Sequence, residues 1–192
     1  LERPVEIELL FRLAYQRHFP AINWLNSYSL YLDQLEGYFA ERVGAGFQAD
    51  RRRAMEILQK ESELEEVVRL IGMDALSVEE RLILETARSI REDFLHQNAF
   101  HEEDTYSSLM KQACVLRLTL QFHEAALRRL EAGEEIGAIL ADPLRGRIAR
   151  AKYVAEEECE AVCERLGAEV SGSADAGRGV ADGGAPVAAR GS

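Results

Sequence analysis

The chain has 192 residues, 47% of them hydrophobic, which is enough for one domain with a buried core. Its 34 acidic side chains against 23 basic ones give a net charge of -11, so a polyanion is repelled over most of the surface and nucleic acid is excluded as an expected partner. No apolar run approaches the ~18 residues that span a bilayer, so no direct membrane insertion is expected.

Cys114, Cys159 and Cys163 are an odd count with no signal peptide, which points to a reduced, cytosolic setting. Cys159 and Cys163 share a helix face, but a metal or redox role needs more ligands than this pair, so they read as ordinary helical cysteines. The first residue is Leu1 rather than Met, as expected of a piece of a longer polypeptide.

In chain order, "VEIELLFRLAY" (5–15) is too short an apolar run to be assigned to strand or helix. A first helix is predicted from Pro20, whose missing N–H is tolerated in a first turn, to about Val43, where Gly44 and Gly46 stop it. A second covers about Gln48 to Leu70, turns Met55, Leu58, Leu64, Val67, Val68 and Ile71 to the core, and ends at Gly72. In "GMDALSVEE" (72–80), Ser77 and Glu80 have the spacing of a reciprocal cap, so a third helix starts at Val78. Its apolar positions are Ile83, Ala87, Ile90 and Phe94, and it ends near "HQNAFHEED" (96–104).

The clearest stripe follows. Leu109, Ala113, Leu116, Leu120, His123, Leu127 and Leu130 step by three and four along one face, with His123 read as a hydrogen-bonded core histidine. Gly133 breaks that helix, a short one follows near Glu134 to Leu140, and Asp142 with Pro143 starts a last helix reaching about Leu166. The Gly/Ala-rich tail 167–192 is expected to be disordered. The fold class is therefore all-α, an antiparallel helical bundle over residues 20–166.

Chemistry within the chain is sparse. There is no Gly-Lys pair to finish a phosphate-binding loop, no Gly-x-Ser-x-Gly elbow and no Cys-x-x-Cys pair, so no catalytic residue is expected. His96, His101, Glu102, Glu103 and Asp104 form a ligand-like set at a helix end, but acidic residues are favoured there by the helix dipole and Asp104 reads as an N-cap, so no metal site is assigned. The carboxylates of "ESELEEV" (61–67) read as a solvated helix face. In "RHFPAINWLNSYSLYLD" (17–33), Trp24, Tyr28 and Tyr31 fall on one helical stripe and suit a core. Phe19 precedes the proline, is pushed toward extended backbone off that stripe, and offers a ring on which a flat ligand could stack.

The stretches "RHFPAINWLNSYSLYLD" and "DALSVEERLILETARSIREDFLHQNAFHEEDTY" resemble the C-terminal helical domain of the catalytic A subunit (alpha chain) of V-type and A-type ATPases and ATP synthases, over about Leu13 to Val154. The resemblance implies a part of a rotary enzyme that couples ATP hydrolysis or synthesis to proton or sodium transport. Phe19 would pack on the adenine of ATP or ADP, and Ala99 and Phe100, with Gln97 and Asn98, would form the pocket's second wall. Magnesium would be held in the intact subunit by residues outside this chain. "DALSVEE" (74–80) sits where the F-type beta subunit carries its acidic shaft-contacting loop, which implies a rotor contact by Asp74, Leu76, Ser77, Glu79 and Glu80. Ala75 and Val78 replace two of that motif's acidic residues, and Leu76 would supply an apolar knob.

The implied partners are B subunits and the central rotor shaft, and the implied location is cytoplasmic, peripheral to the membrane through the complex. Residues 1–19 are then a remnant of the linker from a missing nucleotide-binding domain, and the isolated chain is expected to be inactive. A second reading of the same residues is a stand-alone helical adaptor, with acidic faces docking a basic partner and no nucleotide function.

Overall fold

The structure is a computed structural model and describes residue 31, residues 34–98 and residues 100–176. Segment 1–19, the aromatic run through Trp24 and Tyr28, Ala99 and the tail 177–192 lie outside the described residues. Among the described residues every regular element is helical, and no helix is long and apolar enough to cross a membrane.

The first helix, α1, is described over Glu36–Arg42. Helix α2 spans Phe47–Ile71 and ends at Gly72, whose φ of 90° and ψ of 168° lie in a region that essentially only glycine occupies. A single 3-10 turn, Met73–Ala75, leads to Ser77. There the predicted reciprocal cap is present: Glu80 N donates to Ser77 Oγ at 3.1 Å and Ser77 N donates to Glu80 Oε2 at 2.8 Å. Helix α3 runs Val78–Ser89 and continues as a π-helical turn over Ile90–Leu95, closed by His96 N donating to Arg91 O at 2.9 Å.

A short α4, Glu102–Thr105, follows. Helix α5, Leu109–Glu131, is capped by Ser108, so Asp104 is not the cap that its position suggested. Gly133, at φ 89°, turns the chain into α6, Ile136–Leu140, and α7, Pro143–Arg150, starts at Asp142, whose side chain accepts from Leu144 N at 2.9 Å. The expected single last helix is two: after a 3-10 turn, Ala151–Tyr153, the chain enters α8, Glu156–Ala176. That helix passes through Gly167, where the sequence reading ended it, because Leu166, Val170 and Ala174 continue one buried face at steps of four.

Helix α5 is buried on two faces; the predicted stripe is buried over Ala113, Leu116, Leu120 and His123, while Leu109 is exposed and Leu127 and Leu130 are half-buried against the second face. Leu116 and Leu120 pack with Ala54, Ile57 and Leu58 of α2 and Ala87 and Ile90 of α3. Val115, Leu118, Phe122 and Ala126 pack with Leu82, Ile148, Leu166 and Val170 on the other side. Partner pairs give the directions of the helices. Glu61 of α2 takes a two-pronged ion pair from Arg91 at 2.6 and 3.1 Å, so α2 and α3 form an antiparallel hairpin about the 72–77 turn. Asp50 with Arg117 at 3.1 Å, and Arg53 with Glu124, show α2 running parallel to α5. Ser108 with Glu156, and Cys114 with Cys163, show α8 parallel to α5 as well, since α6 and α7 carry the chain back in between. Arg129 locks that return, reaching Glu134 with two bonds of 2.7 Å and Asp142 with a third of 2.7 Å.

The expectation of ordinary reduced cysteines is corrected here. Cys114 and Cys163 are joined as a disulfide between α5 and α8, with Cα atoms 6.2 Å apart, and Cys159 is free and buried. Sequence spacing could not bring Cys114 to the pair, because it comes from another helix.

His123 is the core histidine expected. Thr86 Oγ1 donates its one hydrogen to Leu82 O at 2.9 Å, so His123 Nδ1 carries the proton of the 2.8 Å bond between them. Burial, and then the charge of Arg53, push its pKa down from 6.5 to about 4. A depressed histidine pKa leaves stability intact above pH 6.5 and removes it as pH falls from 6.5 toward 4, by about 3 kcal/mol in all at ~1.4 kcal/mol per unit. Urea unfolding from pH 7 to 4 is expected to show the wild type losing about that much more than His123→Gln; parallel curves would refute the assignment.

Candidate functional site

The described residues among those implied for the adenine pocket and the rotor contact fall at the two ends of α3 and its π-helical extension. Over Val78 to Leu95 this strut is roughly 27 Å long at 1.5 Å per residue. At its start stands the 72–80 tip. Asp74 is fully exposed and lies 3.8 Å from Arg81. Ser77 and Glu80 are occupied with each other in the cap, while Glu79 is exposed.

Leu76 is only 6% exposed, so it is an anchor for the turn rather than the outward knob expected. A residue just before a helix cap commonly packs back in this way. The exposed apolar groups at this end are instead Leu70, Ile71, Met73 and Val78. Spacing alone had turned Ile71 inward, but it is exposed at the last position of α2.

At the other end, residues 96–98 and 100–105 bond around one carboxylate. Asp104 is 3% exposed, and its Oδ2 accepts from Asn98 N at 2.6 Å and lies 3.7 Å from Lys152 Nζ. Lys152 also donates to His96 O at 2.9 Å and Glu92 O at 3.4 Å, so one ammonium ties the π-turn's carbonyls to the loop. Gln97 Nε2 donates to Asp104 O at 3.4 Å, and Asn98 Oδ1 accepts from Phe100 N at 3.1 Å. Thr105 Oγ1 closes the loop on Asn98 O at 3.1 Å.

The ring that this frame presents is Phe100, at 101% exposure, an unusual setting for a large aromatic side chain. Gln97, Asn98 and Phe100 are thus together on one braced loop, while Ala99 and Phe19 lie outside the described residues. Asp104 and Lys152 were not read from the sequence as supports; they are 48 residues apart, and only the fold pairs them. His101 stacks on Tyr153 with centroids 4.6 Å apart, and the His96–Asp104 stretch does not gather as a ligand set. Among the described residues the one grouping of three or more such ligands is Cys114, Cys159 and Cys163.

Fold and sites together define a helical bundle whose long strut carries an acidic, capped tip at one end and an exposed aromatic on a braced loop at the other. Residues 36–140 match the family model of the C-terminal domain of V and A type ATP synthase, and the chain belongs to this family. It is 56% identical over 149 residues to the V-type ATP synthase alpha chain of Clostridium botulinum (strain Okra / Type B1), covering 78% of this chain and 25% of that protein. The V-type ATP synthase alpha chain of Thermoanaerobacter pseudethanolicus is 56% identical over 146 residues, 76% of this chain and 25% of its own length. That of Clostridium perfringens (strain SM101 / Type A) is 56% identical over 147 residues, with 77% and 25% covered. The chain therefore spans about a quarter of the length of the curated relatives it matches.

Removing Asp104 leaves the half-buried Lys152 with carbonyl partners but no carboxylate, and Asn98 N without an acceptor. Asp104→Ala is expected to lower the unfolding free energy by about 3 kcal/mol, the range for breaking a buried pair, measured by urea denaturation at pH 7. A loss below about 0.5 kcal/mol, the size of a neutral surface change, would mean that the carboxylate does not brace the loop.

Proposed function

We propose that this chain is the C-terminal helical part of the catalytic subunit of a rotary V/A-type ATPase or ATP synthase, supplying part of the adenine pocket and the contact with the central shaft. The observation that carries the reading is the 56% identity to V-type ATP synthase alpha chains over about three-quarters of the chain. In this role the domain binds and transmits while bond breaking takes place elsewhere in the parent subunit. Nucleotide-driven opening and closing would pass along α3 to the 72–80 tip and so couple ATP hydrolysis or synthesis to ion transport. B subunits and the shaft are the proposed partners, and the complex holds the domain at the cytoplasmic face of the membrane. Magnesium would be held by residues of the parent subunit.

The ring of Phe100 supplies a flat apolar face for adenine, joined in this reading by Phe19, Ala99, Gln97 and Asn98. Stacking of this kind contributes about 0.5–1.5 kcal/mol and discriminates little between bases. The shaft contact is proposed for Asp74, Glu79 and the exposed apolar rim of Leu70, Ile71, Met73 and Val78, with Leu76, Ser77 and Glu80 holding the turn's shape.

Two outcomes follow for nucleotide binding. Calorimetric titration of the isolated chain with MgATP is expected to show no turnover and a Kd weaker than about 1 mM, since one stacked ring leaves the phosphates unheld. In the intact alpha chain, Phe100→Ala is expected to weaken ATP and ADP binding about three- to tenfold while the melting temperature stays unchanged, because the ring buries nothing in this domain. Micromolar binding by the isolated chain, or unchanged affinity in the Phe100→Ala subunit, would contradict the adenine role.

A further inference from the structure

The three cysteines meet at the α5–α8 interface, and the nucleotide and shaft roles use none of them. Cys114 comes from α5 and Cys159 and Cys163 from successive turns of α8, and the three Sγ atoms all lie within 4.8 Å of one another. Cys159 Sγ is 3.8 Å from Cys163 Sγ. A cross-link needs two sulfurs, so the disulfide gives no reason for a third thiol at that distance.

The spacing suits a tripod. With zinc–sulfur bonds of ~2.3 Å in tetrahedral geometry, neighbouring sulfurs stand roughly 3.8 Å apart. The helices that carry them are fixed to each other on both sides of the cluster, by Ser108 with Glu156 and by Leu166 and Val170 of α8 in one buried cluster with Leu118 and Phe122 of α5. The cluster also has an entry. Cys114, Cys159 and Cys163 line a groove of about 530 Å³ whose rim carries Glu156, Glu160 and Glu164, a negative approach for a cation and a source of a fourth oxygen ligand beside water.

We infer that Cys114, Cys159 and Cys163, once the Cys114–Cys163 bond is reduced, form a thiolate site for a zinc-class divalent cation at the α5–α8 interface. The two states exchange with a balanced step. A thiol reductant passes two electrons and two protons to the disulfide, its own two S–H groups become one S–S bond, and Cys114 and Cys163 become thiols. The cation then forms three metal–sulfur bonds and displaces three protons to solvent. The site is separate from the adenine loop and the 72–80 tip, so it stands or falls independently of the rotary role.

The test uses the full chain. A trialkylphosphine reduces the disulfide, taking oxygen from water to become the phosphine oxide, and Zn²⁺ is then titrated with alkylation of free thiols as the readout. The expected result is one Zn²⁺ per chain, three thiols alkylated without zinc and none with it, and at least a tenfold loss of zinc affinity in Cys159→Ser with an unchanged helical circular dichroism spectrum. Cys159→Ala, which removes the ligand without adding a hydroxyl, is expected to match it. Cd²⁺ on the reduced wild type reads the ligands directly through a thiolate-to-cadmium charge-transfer band and needs no variant to fold. No stoichiometric zinc binding, thiols that stay open to alkylation, a missing cadmium band, or undiminished affinity in both variants each overturns the site.

Discussion

Helix α5 is apolar on two faces, and the rest of the bundle is arranged by the need to cover both. Leu116 and Leu120 draw in α2 and α3 on one side, and Val115, Leu118 and Phe122 draw in α7 and α8 on the other. Each large side chain so buried contributes about 1.5–3 kcal/mol, so the central helix outweighs any single ion pair on the surface. The directions of the helices follow from the connections. The tight 72–77 turn forces α3 to return along α2, whereas α6 and α7 give the chain room to come back and lay α8 parallel to α5.

Clamped in this way, α3 acts as a stiff rod between two chemically different ends. Its N-terminal end is set by the Ser77–Glu80 cap, with Leu76 seated inward, so the tip keeps its shape while displaying Asp74, Glu79 and an apolar rim. Its C-terminal end departs from α-helical geometry over Ile90–Leu95, and the carbonyls of Glu92 and His96 turn to Lys152. Extra residues in π turns often re-aim the chain at functional sites. Here the turn delivers the chain to the loop that Asp104 organises. A ring at full exposure is a poor place to store stability, and its position at the end of a braced strut is what a contact surface requires.

Much of this was legible from local chemistry. Ser77 with Glu80, Gly72, Gly133 and Asp142 before Pro143 each mark a boundary through a backbone requirement that the residue itself meets, and the structure places boundaries there. The middle of the Leu109–Leu130 stripe was legible as one periodic face; the second face, Val115, Leu118, Phe122 and Ala126, keeps the same three- and four-residue step and went unread because the leucine stripe beside it already accounted for a core face. The continuation of α8 was within reach, since Leu166, Val170 and Ala174 keep the four-residue step, but the glycine and alanine content drew the reading toward disorder. The pairings of Asp104 with Lys152 and of Cys114 with Cys163 depend on helices 48 and 49 residues apart in the chain and have no local signal. Leu76 was expected as an outward knob from the resemblance alone, which does not say which side chain the adjoining helix cap draws in.

The account's central claim is that α3 carries a shaft-contacting tip. It is tested most directly by placing a photo-reactive benzophenone amino acid at position 73, where Met73 is exposed, in the alpha chain of an assembled V-type complex and irradiating it during turnover. The account predicts an adduct between the alpha chain and the central shaft subunit whose yield depends on the rotary state of the complex. Adducts confined to other subunits, with none to the shaft in any nucleotide state, would contradict it.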